Sequence, residues 1–152
     1  MSEEADQDDA EAVAAVVSTF FAAFTSGPGL ADRLDALPGL FLPSAVIVRT
    51  CGDQPTSYDV PGFVAPRREL LTRGAVNEFS EWPLEGHTEV FGDVAQHLCS
   101  YAKQWRQDGE ATTGRGMKSF LLVRTPDGWR IAAAAWDDER EGFSLDQVRL
   151  KG

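Results

Sequence analysis

Three side chains in the second half of the chain have the chemistry to move a proton or hold an oxyanion: His97, Tyr101 and Asp137. An imidazole titrates near neutrality and serves as a proton shuttle or hydrogen-bond donor. A carboxylate at the mouth of an apolar site has a raised pKa and works as an acid or a base, while a tyrosine hydroxyl can stabilise an enolate-like oxygen. Tyr58 and Ser119 offer further hydroxyls, and Arg67 and Arg115 carry the paired N–H donors that hold a carboxylate. Each has an ordinary alternative. His97 and the tyrosines could be satisfied inside the core, and the arginines could pair with Glu69, Asp137 or a neighbour. Asp137 opens the run Asp137-Asp138-Glu139-Arg140-Glu141, which fits a solvated face.

Other chemistries find less support in the spacing. The histidines, His87 and His97, fall on opposite faces of a predicted strand pair, and no His-x-x-x-His or His-Glu-x-x-His motif occurs, so no metal is expected. Ser100-Tyr101-Ala102-Lys103 spells Ser-x-x-Lys but lies in a predicted strand and lacks its companion motifs. Gly114 and Gly116 precede a strand instead of a helix, so they cradle no phosphate, and no cofactor is expected. Cys51 and Cys99 form no Cys-x-x-Cys pair and read as core thiols.

The elements that must position these residues follow from periodicity. Val13, Val16, Val17, Phe20, Phe21 and Phe24 recur at three and four, a helical stripe ended by Ser26-Gly27-Pro28-Gly29. Leu30, Leu34 and Leu37 mark a short second helix, and residues 45–51 a first strand. Asp59 is the N-cap of a third helix with Pro61 in its first turn, Pro66 as a possible kink and Gly74 at its close. From residue 76 the period becomes two, which predicts strands over 76–91, 94–106, 114–125 and 129–138, with turns at Gly92-Asp93 and Pro126-Asp127-Gly128. Pro83 and Gly86 suit an edge strand with a bulge.

Alternation then assigns faces. Thr88, Val90, Ala95, His97, Cys99 and Tyr101 share a face free of carboxylates and are expected inward. With Lys118 and Arg124 pointing to water, Arg115, Met117, Ser119, Leu121 and Val123 turn inward; in the last strand the inward set is Trp129, Ile131, Ala133, Ala135 and Asp137. The outer face then carries Leu98, Phe120, Leu122 and Trp136, enough apolar surface to predict a homodimer.

Composition bounds the rest. A length of 152 residues with 43% hydrophobic content supports one domain, expected over 12–141. Six of the 24 acids precede the first apolar run, so 1–11 is expected to be an acidic disordered tail, and 142–152 a loose C-terminal tail. The net charge of -10 and the lack of a basic stripe disfavour nucleic acid. No apolar run of membrane-spanning length and no secretory leader is read, so the expected address is cytoplasmic, with no membrane partner.

Helices followed by a curved meander, with Phe91-Gly92-Asp93-Val94-Ala95 at the hairpin and Asp127-Gly128-Trp129-Arg130-Ile131 opening the last strand, resemble the nuclear transport factor 2-like superfamily over about residues 12–141. That superfamily includes ketosteroid isomerase-like and polyketide cyclase-like proteins. The resemblance implies an α+β fold of the cystatin-like kind: a cone-shaped, curved antiparallel sheet wrapped around N-terminal helices, with a pocket between them and commonly a homodimer. The first helix lacks the tyrosine that ketosteroid isomerase-like members use, a departure that counts against that mechanism. The leading expectation is a module that binds a small, mostly apolar organic ligand through Tyr58, Arg67, His97, Tyr101, Arg115, Ser119 and Asp137. The alternatives are an acid-base isomerase, cyclase or dehydratase using Asp137 or His97, and a protein-association scaffold.

Overall fold

Helical periodicity in the N-terminal segment becomes α1 (Glu3–Ala22), which opens a computed structural model that describes residues 3–72 and 77–147. Val13, Val17, Phe20 and Phe21 from its apolar stripe, with Phe24 just beyond, are all buried. The helix begins well before residue 12, so the acidic segment is not a separate tail from residue 3 onward. Acidic residues in the first turns suit the positive end of the helix dipole, and one is docked: the Asp9 carboxylate accepts two hydrogen bonds from the Arg124 guanidinium, at 2.9 and 2.7 Å. Those bonds hold the Asp9 carboxyl below its ordinary value.

A short α2 (Leu30–Ala36) and a 3-10 turn (Leu37–Leu40) lead into β1 (Phe41–Arg49). A strand absent from the sequence reading, β2 (Thr56–Tyr58), folds back on β1 and pairs Tyr58 with Ile47. Helix α3 (Val60–Thr72) follows, and the Asp59 carboxylate accepts from Gly62 N at 2.7 Å, as an N-cap should. Pro66 lies inside α3; the expected stop at Gly74 is outside the described residues.

Four long strands complete the sheet: β3 (Asn77–Phe91), β4 (Val94–Gln107), β5 (Glu110–Thr125) and β6 (Gly128–Asp138). Their order is β2-β1-β6-β5-β4-β3, antiparallel throughout except for the parallel pair β1 and β6. The curved, unclosed sheet with helices against its inner face is the α+β architecture the sequence predicts. Gly92-Asp93 turns the first hairpin in the expected register, with Thr88 opposite His97. β3 is an edge strand whose register slips between Pro83 and Gly86, also as expected. The β4 and β5 strands run further than predicted and meet at Asp108-Gly109, where both residues have positive φ (54° and 82°), the backbone of a two-residue primed turn.

The facing of β4 agrees with the alternation argument: Ala95, His97, Cys99 and Tyr101 are buried on the inner face. β5 has the opposite phase from the one expected. Lys118, Phe120 and Leu122 are buried, whereas Leu121 is 47% exposed, so Arg115, Met117, Ser119, Leu121 and Val123 look outward. The assumption that a lysine points to water fails because Lys118 finds a buried acid, Glu81, across the sheet. In β6, Trp129 and Ile131 are inward as predicted, but the phase then inverts. Leu122 pairs with Ile131 while Leu121 pairs with Ala133, so Ala132 is an extra residue, a bulge. Beyond it Ala134, Trp136 and Asp138 turn inward, and Ala133, Ala135 and Asp137 turn outward. Phe120, Leu122 and Trp136 therefore belong to the core, not to the outer face where the dimer argument placed them.

Beyond β6 the chain is ordered by contacts as far as it is described. Arg140 and Phe143 bridge, Leu145 N donates to Glu139 Oε2 at 2.8 Å, and a 3-10 turn spans Leu145–Gln147. The expected loose tail is thus docked over 142–147, and 148–152 lie outside the described residues. Among the described residues no helix is long and apolar enough to cross a membrane.

Candidate functional site

A cavity of about 390 Å³ opens between α1, α3 and the inner sheet face, within the size range of small-molecule sites. Its inner wall is aromatic: Phe20 and Phe24 from the α1 stripe, Phe63 from α3 and Trp136 from β6. These rings meet edge to face, Phe20 to Phe24 at 5.2 Å and Phe63 to Trp136 at 5.8 Å between centroids. Tyr58, Leu70, Leu71 and Phe79 extend the apolar lining.

The polar groups of the cavity are charged, and cations outnumber anions. Arg49, Arg67, Lys103 and Lys118 line it together with the carboxylates Glu81 and Asp138, a surplus of two positive charges inside a chain whose net charge is -10. Enclosure by low-dielectric walls strengthens that local field.

Arg67 has the most unusual setting. Its guanidinium carbon sits 3.9 Å from the Phe63 ring centroid, 5.6 Å from Trp136 and 5.8 Å from Tyr58. Burial depresses its pKa. Among the described residues it makes one hydrogen bond, from Nη1 to the Phe63 carbonyl at 3.0 Å, and no ion pair. A guanidinium has five N–H donors, so most of this one is left for something else.

Two carboxylate clusters occupy the floor. Asp138 accepts a hydrogen bond from the Tyr101 hydroxyl and another from Lys103 Nζ at 2.9 Å. Burial alone would raise the Asp138 carboxyl; the bonds from Tyr101 and Lys103, aided by the Lys103 charge and the Cys51 thiol, more than offset it and hold it below the usual range. Tyr101 is fully buried, and burial and the bond to Asp138 push its hydroxyl pKa upward, so it stays protonated and engaged. Gly116 makes this possible, since a Cβ there would collide with the Tyr101 hydroxyl.

The second cluster pairs Lys118 Nζ with Glu81 Oε1 at 3.0 Å, with side chains only 7% and 10% exposed. The contact has ion-pair distance but not hydrogen-bonding direction, and Glu81 Oε1 accepts no hydrogen bond. Lys118 Nζ also lies 4.2 Å from the Tyr101 centroid and 4.4 Å from Trp136. Taking both charges out of water carries a desolvation cost, so this pair is held at some expense to stability.

Of the residues singled out from sequence, Tyr58 and Arg67 line the cavity, and Tyr101 supports its floor through Asp138. His97 is on the inner face but outside the cavity lining; its Nδ1 is 2.7 Å from Thr88 Oγ1, and burial lowers its pKa. Arg115, Ser119 and Asp137 are on the opposite face. Arg115 binds Glu139 through two bonds of 3.0 and 2.9 Å, Asp137 accepts from Arg140 at 2.7 Å, and Ser119 stands between Leu98 and Ala135 in the sheet. The sequence reading missed Arg49, Glu81, Lys103, Lys118 and Asp138. Pairing Lys103 with the inward Tyr101 by its even spacing would have found one of them, and a bulge in β6 would have exchanged Asp137 for Asp138.

No family model matches the sequence, and no curated protein does. Solved structures resemble the fold closely. An NTF2-like protein with a cystatin-like fold from Novosphingobium aromaticivorans superposes with a TM-score of 0.69 at 16% identity, over 93% of this chain and 88% of that one. A protein provisionally named a dehydratase of the NTF2-like family, from Streptomyces avermitilis, gives 0.69 at 16% identity over 88% and 98%. One from Novosphingobium aromaticivorans, provisionally named a scytalone dehydratase, gives 0.73 at 9% identity over 91% and 89%. At such identities the likeness is one of fold.

Proposed function

Starting from a chain with the nuclear transport factor 2-like, cystatin-like fold, we propose that its cavity binds a small organic acid with an aromatic or otherwise apolar body. The observation that carries this reading is Arg67: a partly buried guanidinium stacked on Phe63, with no carboxylate of the described chain to pair with. An arginine desolvated in this way is stabilised by an anion that brings its own planar oxygens, and the rings beside it accept a flat apolar body. Arg49 at the same cavity adds to the preference for negative charge. The names of the two dehydratase-like structures support a cavity that handles small molecules.

The test is calorimetric titration with phenylacetate and with its neutral amide. Wild type is expected to prefer the acid, and Arg67→Met to weaken acid binding by about ten- to a hundredfold, as for loss of a charge-assisted bond worth about 1.5–3 kcal/mol. The amide should change little, because Met keeps the packing on Phe63. Equal affinity for acid and amide in wild type would refute the anion reading.

A second part of the proposal concerns assembly. The outer sheet face presents Leu121, Val94 and Val46, with Phe91 at its rim 85% exposed. A second copy of this chain is the occupant we propose, since a two-fold contact sets this apolar patch against itself, with Glu89 and Arg130 of opposite charge beside it on the same face. Light scattering at micromolar concentration should return a dimer, and Leu121→Lys a monomer. A monomeric wild type would remove this part.

A further inference from the structure

We infer that Arg49 and Arg67 together hold one doubly charged group, which makes the ligand of this cavity an aryl phosphate monoester. The inference rests on the anion-binding reading of the cavity and narrows its ligand class. Three observations converge, and the first is how the charges pair. Six charged side chains line the cavity, and each lysine is already matched to a carboxylate: Lys103 to Asp138 at 2.9 Å and Lys118 to Glu81 at 3.0 Å. The surplus of two positive charges therefore resides on Arg49 and Arg67, neither of which forms an ion pair among the described residues.

The second observation is position. Arg49 ends β1, where it stands beside Trp136 in the parallel register with β6, and the guanidinium carbon of Arg67 lies 5.6 Å from the centroid of the Trp136 ring. A strand end and a helix thus bring two cations to the same residue. The third is that the two cations repel. Burial is the main cause of the lowered Arg67 pKa, and the Arg49 charge lowers it further, against the opposing influence of Tyr58 and Glu81. A like charge nearby, with no acid between the two, disfavours both charged forms until an anion joins them.

A carboxylate balances only one of the two arginines. A phosphate monoester carries about 1.5 to 2 negative charges at neutral pH and three strong acceptor oxygens. Two of those oxygens meet the fork of Arg67 as a carboxylate would, and the third is left for Arg49. The aryl body lies against Phe20, Phe24 and Phe63, and a cavity of about 390 Å³ has room for both parts.

Phenyl phosphate and phenyl sulfate are the probes, because the sulfate ester has the same tetrahedral shape and a single charge. Both are titrated by calorimetry at pH 8 and one fixed ionic strength, so that screening is constant. Wild type is expected to bind the phosphate at least about tenfold more tightly than the sulfate. Arg49→Met should weaken phenyl phosphate by about tenfold or more, as for loss of a hydrogen bond to a charged group, and leave phenyl sulfate within about threefold. Arg49→Lys keeps the charge and should retain part of the preference, which separates loss of charge from a folding defect in the methionine variant. Equal affinity of wild type for the two esters overturns the inference, as does a preference for the phosphate that survives in Arg49→Met. Inorganic phosphate bound as tightly as phenyl phosphate overturns the aryl part. If phenylacetate binds and phenyl phosphate does not, the dianion falls and the anion reading stands; if none of these anions binds, both fall.

Discussion

Lys118→Met lowers the unfolding free energy by about 3–5 kcal/mol, the expected cost of leaving one member of a buried ion pair alone. The side chain keeps its length, so packing against Tyr101 and Trp136 survives and the loss is electrostatic: the Glu81 carboxylate remains in a place with almost no water. Glu81→Leu should cost less, because the ammonium it abandons still lies over two aromatic faces, each worth about 0.5–2 kcal/mol. The double variant Glu81→Leu/Lys118→Met should return to within about 1 kcal/mol of wild type or exceed it, as apolar replacements of buried pairs do. Urea unfolding resolves the cycle, since a stability change moves the midpoint and leaves the slope alone. For a chain of this length the single lysine variant should melt roughly 6–20 °C lower. Additive single and double variants would mean that the two groups do not interact.

The same pair explains where sequence reading succeeded and failed. Facing in β4 was legible because Gly92-Asp93 pins the hairpin, and that turn fixes the side of every residue of β4, and of β3 as far back as its register shift between Pro83 and Gly86. Facing in β5 was not, because the argument treated Lys118 as a solvent marker, and only the tertiary fold brings Glu81 across two strands to neutralise it. In β6 the alternation breaks at Ala132, and the run Ala132-Ala133-Ala134-Ala135 is uniform, so no polar residue reveals the change of phase. That single extra residue carried attention to Asp137, which pairs with Arg140 in solvent, and away from Asp138, which sits over Tyr101. Tyr58 and Arg67 were within reach because a local signal, the Asp59 cap, sets the start of α3 and hence its faces. The short β2 was out of reach: three residues that follow the Gly52-Asp53-Gln54-Pro55 turn gain strand character only by pairing with β1. The first turns of α1 were misread for a similar reason, since Asp9 is held by Arg124, a residue far along the chain.

Phe20→Ala is the other large effect, and it tests whether the cavity has a packed wall. Phe20 is almost wholly buried and meets the rings of Phe21, Phe24, Phe41, Phe63 and Phe120 at 5.2 to 6.2 Å. Removing such a side chain costs about 3–5 kcal/mol, from lost transfer energy and from a void the surrounding rings cannot fill. Leu70 lines the same cavity but is 44% exposed, so Leu70→Ala should cost less than about 1 kcal/mol. The contrast separates membership of the core from membership of the cavity lining, since the two residues share the second property and not the first. The void left by Phe20 adjoins the cavity, so a neutral aromatic molecule can enter it. Indole should therefore raise the thermal midpoint of Phe20→Ala more than that of wild type, by the linkage between ligand binding and unfolding. If the variant loses the expected stability and indole gives no added gain, the rings have collapsed into the space. The wall would then be soft, and the shape of the cavity could not by itself select an aromatic acid. If indole does restore the midpoint, the five rings around position 20 hold their places without it. The selectivity proposed for the site then rests on a rigid aromatic surface with Arg67 and Lys118 both beside the Trp136 ring.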